Sequence, residues 1–201
     1  MSAPLAHLVD DDDAMRDALA WLLRSRGIDS RAWNCAEAFL GDYRADMRGC
    51  LVLDIRMRAM TGLELFDHLL ALDCAMPVIF LTGHGEVPQA VKSLKKGAFD
   101  FLEKPFDDNE LADRVIEALA RDTDNRARGQ LIDQTQKRLA NLTQREQEVM
   151  KAILAGKMNK VIADELDIAM RTVEVHRAHV FEKMAVRSAV ELTQLLAQLP
   201  R

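Results

Sequence analysis

No apolar run in this chain approaches the ~20 residues needed to cross a bilayer. The first residues also lack a basic segment followed by an apolar one, the mark of a secretion signal. Cysteine is scarce: Cys35, Cys50 and Cys74 are odd in number, far apart, and form no CxxC pair. That argues against a disulfide framework and a thiolate zinc site, and fits reduced thiols. The expectation is a cytoplasmic protein with no membrane partner. Aromatic side chains are nearly missing from the last third, where Phe181 stands alone over 139–201. A surface that stacks unpaired RNA bases needs several. What is present is 201 residues, 49% hydrophobic and 29% charged, enough for one large domain or two small ones.

The net charge of −5 conceals a split. Residues 1–122 carry 14 Lys+Arg against 22 Asp+Glu, a balance of −8. Residues 123–201 carry 13 against 10, or +3, with His176 and His179 in addition. Such asymmetry points to a C-terminal half that meets something anionic.

Through residue 122, short apolar runs alternate with longer helical patterns. Strands are expected at 5–9, 29–33, 49–55, 77–82 and 99–104, and helices at 14–26, 36–43, 62–72, 87–97 and 108–121. Five βα units with near-continuous apolar strands predict a parallel sheet covered on both faces. From 122 to 142 the chain turns polar without proline and reads as a partly helical linker, broken only by Gly129. Residues 143–201 read as helices only, at 143–155, 158–165, 171–184 and 188–197. The predicted domains are therefore 1–122, a helical linker 123–140, and 141–201.

Four aspartates, Asp10 to Asp13, follow the first strand and Asp54 follows the third. In an open α/β sheet, ligands sit beyond the carboxyl ends of the strands, where Asp10, Asp11, Asp54, Thr82 and Lys104 all emerge. Three converging carboxylates without a cation force one to stay protonated. A hard divalent ion removes that repulsion, and magnesium suits a site of few carboxylates, waters and a phosphate. An aspartate can also serve as nucleophile and become an aspartyl-phosphate, with a hydroxyl and an ammonium to hold the phosphoryl group. The bland alternative is a solvated acidic loop.

"LVDDDDAMRDAL", "LVLDIRM…MTGLEL", "VIFLTGHGEVPQAV" and "GAFDFLEKPF" resemble the receiver domain of two-component response regulators over residues 4–122. The resemblance is to the FixJ/NarL (LuxR-type) family. It implies a flavodoxin-like, doubly wound five-stranded sheet, with Asp54 as phosphoacceptor. Mg2+ would be held by Asp10, Asp11, Asp54 and the backbone carbonyl of Arg56. Thr82 and Lys104 would contact the phosphoryl group, and Phe101 would be the aromatic that changes rotamer on activation. Asp12 and Asp13 read as a helix N-cap and a first-turn acid. Phosphorylation would promote a homodimer through helix 87–97 and strand 99–102, a face offering Val91, Lys95, Lys96, Asp100 and Glu110. The family usually has proline where this chain has Arg58; arginine is expected to leave that loop freer and to add a cation. His7, His68 and His84 suggest no metal site, and His84 is expected in the switch loop.

In the C-terminal half, "NKVIADEL", a turn "DIAM" and "RTVEVHRAHVFEKM" describe a helix-turn-helix. Ile162, Ala163, Leu166, Ile168, Val173 and Val180 would form its core. The segment "LTQREQEV…GKMNKVIADELDIAMRTVEVHRAHVFEKMAVRSAVEL" resembles the LuxR/NarL-type all-α tetrahelical DNA-binding domain over 139–198. That implies helix 171–184 in the major groove of double-stranded promoter DNA, with Glu174, Val175, Arg177 and Ala178 near base edges. Asn159, Lys160, Arg171, Thr172, His176, Lys183 and Arg187 would meet phosphates; His179 fits either role. The domain's own charge, nine basic against eight acidic residues over 141–201, predicts weak binding by a monomer.

The resemblance thus implies a phosphorylation-dependent transcriptional regulator, with a sensor histidine kinase, promoter DNA and RNA polymerase as partners and no enzymatic role. Two other readings stay open on the residues. A magnesium phosphohydrolase using Asp54 would need a second aspartate two residues on, where Arg56 stands. A last domain that binds protein or RNA would need contacts this segment does not advertise.

Overall fold

The computed structural model describes residues 4–83 and 85–199; His84 therefore lies outside the described residues. The chain divides into two units, Met1–Arg126 and Ala127–Arg201.

The apolar runs of the first unit form strands because each can be buried on both faces. Its elements alternate: β1 (Leu5–Val9), α1 (Asp13–Ser25), β2 (Ser30–Trp33), α2 (Ala36–Asp42), β3 (Gly49–Asp54), α3 (Gly62–Ala71), β4 (Val78–Thr82), α4 (Val87–Lys95), β5 (Asp100–Glu103) and the start of α5 (Asp108–Ala140). All strand pairs are parallel in the order β2-β1-β3-β4-β5. This is the doubly wound sheet expected, and its winding reverses between β1 and β3. Alternation along β3 divides the core. Leu51 and Leu53 join Phe39, Leu65 and Phe80 on one face, whereas Cys50 and Val52 join Leu23, Leu111 and Val115 on the other. Cys50 is fully buried there as a small hydrophobe.

Two close approaches hold the ends of β3. At Gly62, which opens α3, an added Cβ would lie 2.1 Å from the Asp54 carbonyl oxygen. At the other end the fully buried Asp122 accepts the Gly49 N–H at 3.0 Å and the Arg126 Nε–H at 2.8 Å. Arg126 also donates to the Met47 carbonyl, so α5 is tied to the start of β3 by polar groups at the base of the sheet.

The expected stop of the last receiver helix at 121 is not observed: α5 runs unbroken to Ala140, through Gly129. An interior glycine costs a helix roughly 1 kcal/mol relative to alanine and does not end it. A Cβ added at Gly129 would meet nothing within 4 Å, so no close approach requires a glycine there. Pairs at i,i+4 such as Lys137–Asp133 support the polar stretch.

The second unit holds α6 (Gln144–Leu154), α7 (Asn159–Leu166), α8 (Met170–Met184) and α9 (Ala189–Leu196). Ile162, Ala163, Val173, Val180, Met184 and Leu192 are buried together, with Leu166 and Ile168 packed against them. Asp167 ends α7 in the left-handed region, φ 51°, and three residues later α8 begins, a helix-turn-helix.

Candidate functional site

Register brings the acidic residues together. Val9 pairs with Leu53, so Asp10 and Asp54 leave the sheet side by side. Thr82 pairs with Glu103, which delivers Lys104 to the same edge. Carboxylate oxygens of Asp10, Asp11 and Asp54 all lie within 4.8 Å of one another. Asp10 and Asp54 are buried, and Asp11 is partly open to solvent. Lys104 Nζ donates to Asp54 Oδ1 at 2.6 Å and to Asp10 Oδ2 at 3.2 Å.

Asp12 caps α1, its Oδ1 accepting from the Ala14 and Met15 N–H groups, and Asp13 lies in the first turn. Their roles are structural: they keep the helix N-terminus in place while the neighbouring pair faces the site. Asp10 is itself fixed by the Asp12 N–H at 2.8 Å on Oδ1, and Arg16 donates to its carbonyl at 2.7 Å.

Burial lifts the Asp54 carboxyl above the usual aspartate range; Lys104 pulls it back, and Asp10 and Glu86 add to the rise. Burial opposes the charge on Lys104, yet Asp54 and Asp10 together hold its ammonium above the ordinary lysine value. Three carboxylates facing one ammonium leave an excess of negative charge, which a hard divalent cation would neutralise. The donor set, oxygen only and no thiol or imidazole, fits magnesium.

Thr82 is fully buried and its Oγ1 has no hydrogen-bond partner. Most buried hydroxyls find one. Phe101 is half-buried on β5 and packs at the edge of the core. On the face expected to dimerise, Val91 is exposed. Two of the charges there are already engaged within the chain: Lys96 Nζ bonds Asp67 at 2.6 Å, and Asp100 pairs with Arg114 at 3.0 Å.

In the loop after Asp54 the Arg58 side chain stands in solvent, while its backbone ties the loop to the site. The Arg58 N–H, which a proline would lack, donates to Asp11 Oδ2 at 3.2 Å, and its Nε lies 3.5 Å from the same oxygen. Met60 N–H donates to Glu37 Oε1 at 3.2 Å, and Ala59 between them takes φ 59°. Sequence reasoning also missed what the Arg56 side chain does: its Nε donates to the buried Glu86 carboxylate.

In the second unit, α8 buries Val173, Val180 and Met184 and exposes Arg171, Thr172, Glu174, Val175, Ala178 and His179. Arg177 is half-buried, its guanidinium 5.5 Å from the centre of the Phe181 ring. His176 is half-buried, with a buried Nδ1 that lacks a partner. Asn159 and Lys160 open α7, the lysine exposed, and Arg187 is exposed just before α9. Lys183 differs from the other cations in this group: its Nζ sits 2.6 Å from Glu146 Oε2. Glu146 is a buried hub that also accepts the Thr143 N–H at 2.8 Å in a capping box, and His179 Nδ1 lies 3.7 Å away. Lys183 and the Thr143 amide hold its carboxyl down, at about 2. The T-x-x-E pattern at 143–146, like that at 61–64, carries the signal for this cap in sequence.

Comparison with known proteins places these two sites in context. The family model described as "Response regulator receiver domain" matches residues 6–116, and "Bacterial regulatory proteins, luxR family" matches 140–196. The C4-dicarboxylate transport transcriptional regulatory protein DctR of Rhodobacter capsulatus is 47% identical over 191 residues, covering 94% of this chain and 97% of that protein. The transcriptional regulatory protein FixJ of Azorhizobium caulinodans is 44% identical over 189 residues, covering 94% and 90%. The solved structure of the response regulator StyR, 40% identical, covers 98% of this chain and is itself covered entirely, with a TM-score of 0.87. Among the described residues no helix is long and apolar enough to cross a membrane.

Proposed function

The chain belongs to the response regulators that join a receiver domain to a luxR-family DNA-binding domain, and is a phosphorylation-dependent transcriptional regulator; from that premise we propose that Asp54 takes up the phosphoryl group from a sensor histidine kinase. The observation that carries this reading is the convergence of Asp10, Asp11, Asp54 and Lys104 beside the unpartnered hydroxyl of Thr82.

An Asp54 carboxylate oxygen attacks the phosphorus of the kinase phosphohistidine. The new P–O bond forms as the P–N bond breaks, and the imidazole leaves with the electron pair. Asp10, Asp11, Asp54 and the Arg56 carbonyl would hold Mg2+, which when bound neutralises charge on the carboxylates and the phosphoryl oxygens. Lys104 releases Asp54 to the incoming group and pairs with a phosphoryl oxygen, and the Thr82 hydroxyl turns to donate to another. Thr82 moving toward the phosphoryl group vacates space for Phe101 to turn inward, reshaping the face of α4 and β5 through which two copies pair. Two output domains then present α8 to successive major grooves of promoter DNA, with RNA polymerase as a further partner at the promoter. Arg171, Thr172, Asn159, Lys160, His176, Lys183 and Arg187 meet phosphates, and Glu174, Val175 and Arg177 read base edges. A domain of net charge near +1 gains the phosphate contacts it lacks by doubling them.

The test is sedimentation of wild type and Asp54→Asn with and without magnesium plus beryllofluoride. Wild type alone is expected to shift from monomer to dimer. An equal shift in both proteins, or none, refutes dimerisation through Asp54.

A further inference from the structure

Glu86 stands at the N-cap position of α4, yet its side chain makes no cap hydrogen bond. Its side chain is 7% exposed, and both oxygens are committed elsewhere. Oε2 accepts the Gly83 N–H at 2.8 Å, and Oε1 accepts the Arg56 Nε–H. One buried carboxylate thus joins the residue two beyond Asp54 to the residue one beyond Thr82, and the loops after β3 and β4 close over it.

We propose that Glu86 is a latch that holds the unphosphorylated arrangement of these loops and sets the threshold for leaving it, an inference that rests on the reading of Asp54 as acceptor. The chemistry is competition. A phosphoryl group on Asp54 brings roughly −1.5 to −2 charges and three acceptor oxygens. Beyond Lys104 and Thr82, two further groups suited to it stand on the flanking loops and are already occupied by Glu86: a guanidinium and a backbone N–H, both stronger partners for a phosphate than for solvent. Like charge also opposes the two anions, and Glu86 already adds to the rise of the Asp54 carboxyl. Movement of Thr82 toward the phosphoryl group carries Gly83, the next residue, away from Glu86. Activation therefore breaks both contacts of a buried carboxylate, and the free energy of those contacts is subtracted from the driving force. Glu86 is in this sense a positioning residue that acts through Arg56 and Gly83.

The experiment is titration of the full chain with beryllofluoride in saturating magnesium, read by the bound 19F resonance, for wild type, Asp54→Asn, Glu86→Gln, Arg56→Gln and the double variant. Glutamine keeps the shape of Glu86 and still accepts from Gly83, but it removes the charge. Half-saturation is expected to fall about three- to tenfold in Glu86→Gln, the range of one ordinary hydrogen bond, and by less in Arg56→Gln and the double variant, which also lose the guanidinium that the phosphoryl group would take up. The Gly83 amide of Glu86→Gln should also exchange with solvent faster. Beryllofluoride binding that is absent in wild type, or equal in Asp54→Asn, overturns the acceptor reading itself. Specific binding by wild type with unchanged or weaker binding by Glu86→Gln overturns the latch and leaves the acceptor reading standing. Should Glu86→Gln fail to fold, Glu86→Asp decides on the same terms, its carboxylate being one methylene too short to hold both partners.

Discussion

One methyl group added at Gly62 should damage the acceptor site more than many changes of charge around it. The Cβ of Gly62→Ala would lie 2.1 Å from the Asp54 carbonyl oxygen and 3.0 Å from its carbonyl carbon, about 1.3 Å short of ordinary contact with the oxygen. Relief by withdrawing α3 is blocked, because Leu65, Phe66 and Leu69 are buried on it and the Thr61–Glu64 box fixes its first turn. The Gly62 N–H is bonded to the Ile55 carbonyl at 3.0 Å as well. The strain therefore falls on Asp54, whose carboxylate must shift against Lys104. Overpacking of this kind costs roughly 1–3 kcal/mol, and a clash with backbone belongs at the upper end. For a domain of this size that lowers the melting midpoint by roughly 10 °C. Thermal unfolding followed by the fluorescence of the buried Trp33, with beryllofluoride binding on the same samples, measures both effects. Gly41→Ala is the control: nothing lies within 4 Å of its added Cβ, and melting should be unchanged or slightly raised. A Gly62→Ala protein that melts within two degrees or so of wild type and binds beryllofluoride normally would refute the reasoning.

Two further outcomes concern the output domain. The Glu146 carboxyl is held near 2 in the folded chain against an ordinary 4.5, so the stabilisation it supplies is complete above about pH 4.5 and fades as pH falls toward 2. Melting curves by far-ultraviolet circular dichroism should therefore separate wild type from Glu146→Gln at pH 7, draw closer below pH 4.5 and converge by about pH 2; a constant gap would show that the charge is irrelevant. In binding to duplex DNA across a salt series, Arg171→Ala should reduce the log–log slope by about one. Lys183→Ala should reduce it by clearly less, because Lys183 Nζ is already paired with Glu146; equal losses would contradict that pairing.

The sheet and its edge were legible because their signals are local. Each apolar run is a strand, and carboxyl-terminal aspartates at two neighbouring strands announce the site once the parallel order is inferred. The helix-turn-helix was legible through the spacing of Ile162, Val173 and Val180. What escaped are pairings between distant residues. Nothing near Arg56 points to Glu86, thirty positions on, and nothing near Lys183 points to Glu146, thirty-seven positions back. Lys96 and Asp100 looked available for a partner subunit only because Asp67 and Arg114, which hold them, sit on other helices. The helical character of 123–140 was legible, but its unbroken continuity with the last receiver helix was not, for the opposite reason. Residues 123–140 lack an apolar stripe, so periodicity is silent there, while helix propensity and i,i+4 pairs go on supporting the helix.

The unpartnered hydroxyl of Thr82 sets stability against signalling. A buried polar group left without a hydrogen bond costs the folded state roughly 1–3 kcal/mol, and valine matches threonine in shape without that penalty. Directed evolution that rewards only heat resistance would be drawn to Thr82→Val. With the role proposed for Thr82 at the phosphoryl group, it would deliver a hardier receiver deaf to phosphorylation, and a screen for robust variants of this protein must include the response itself among its selected traits.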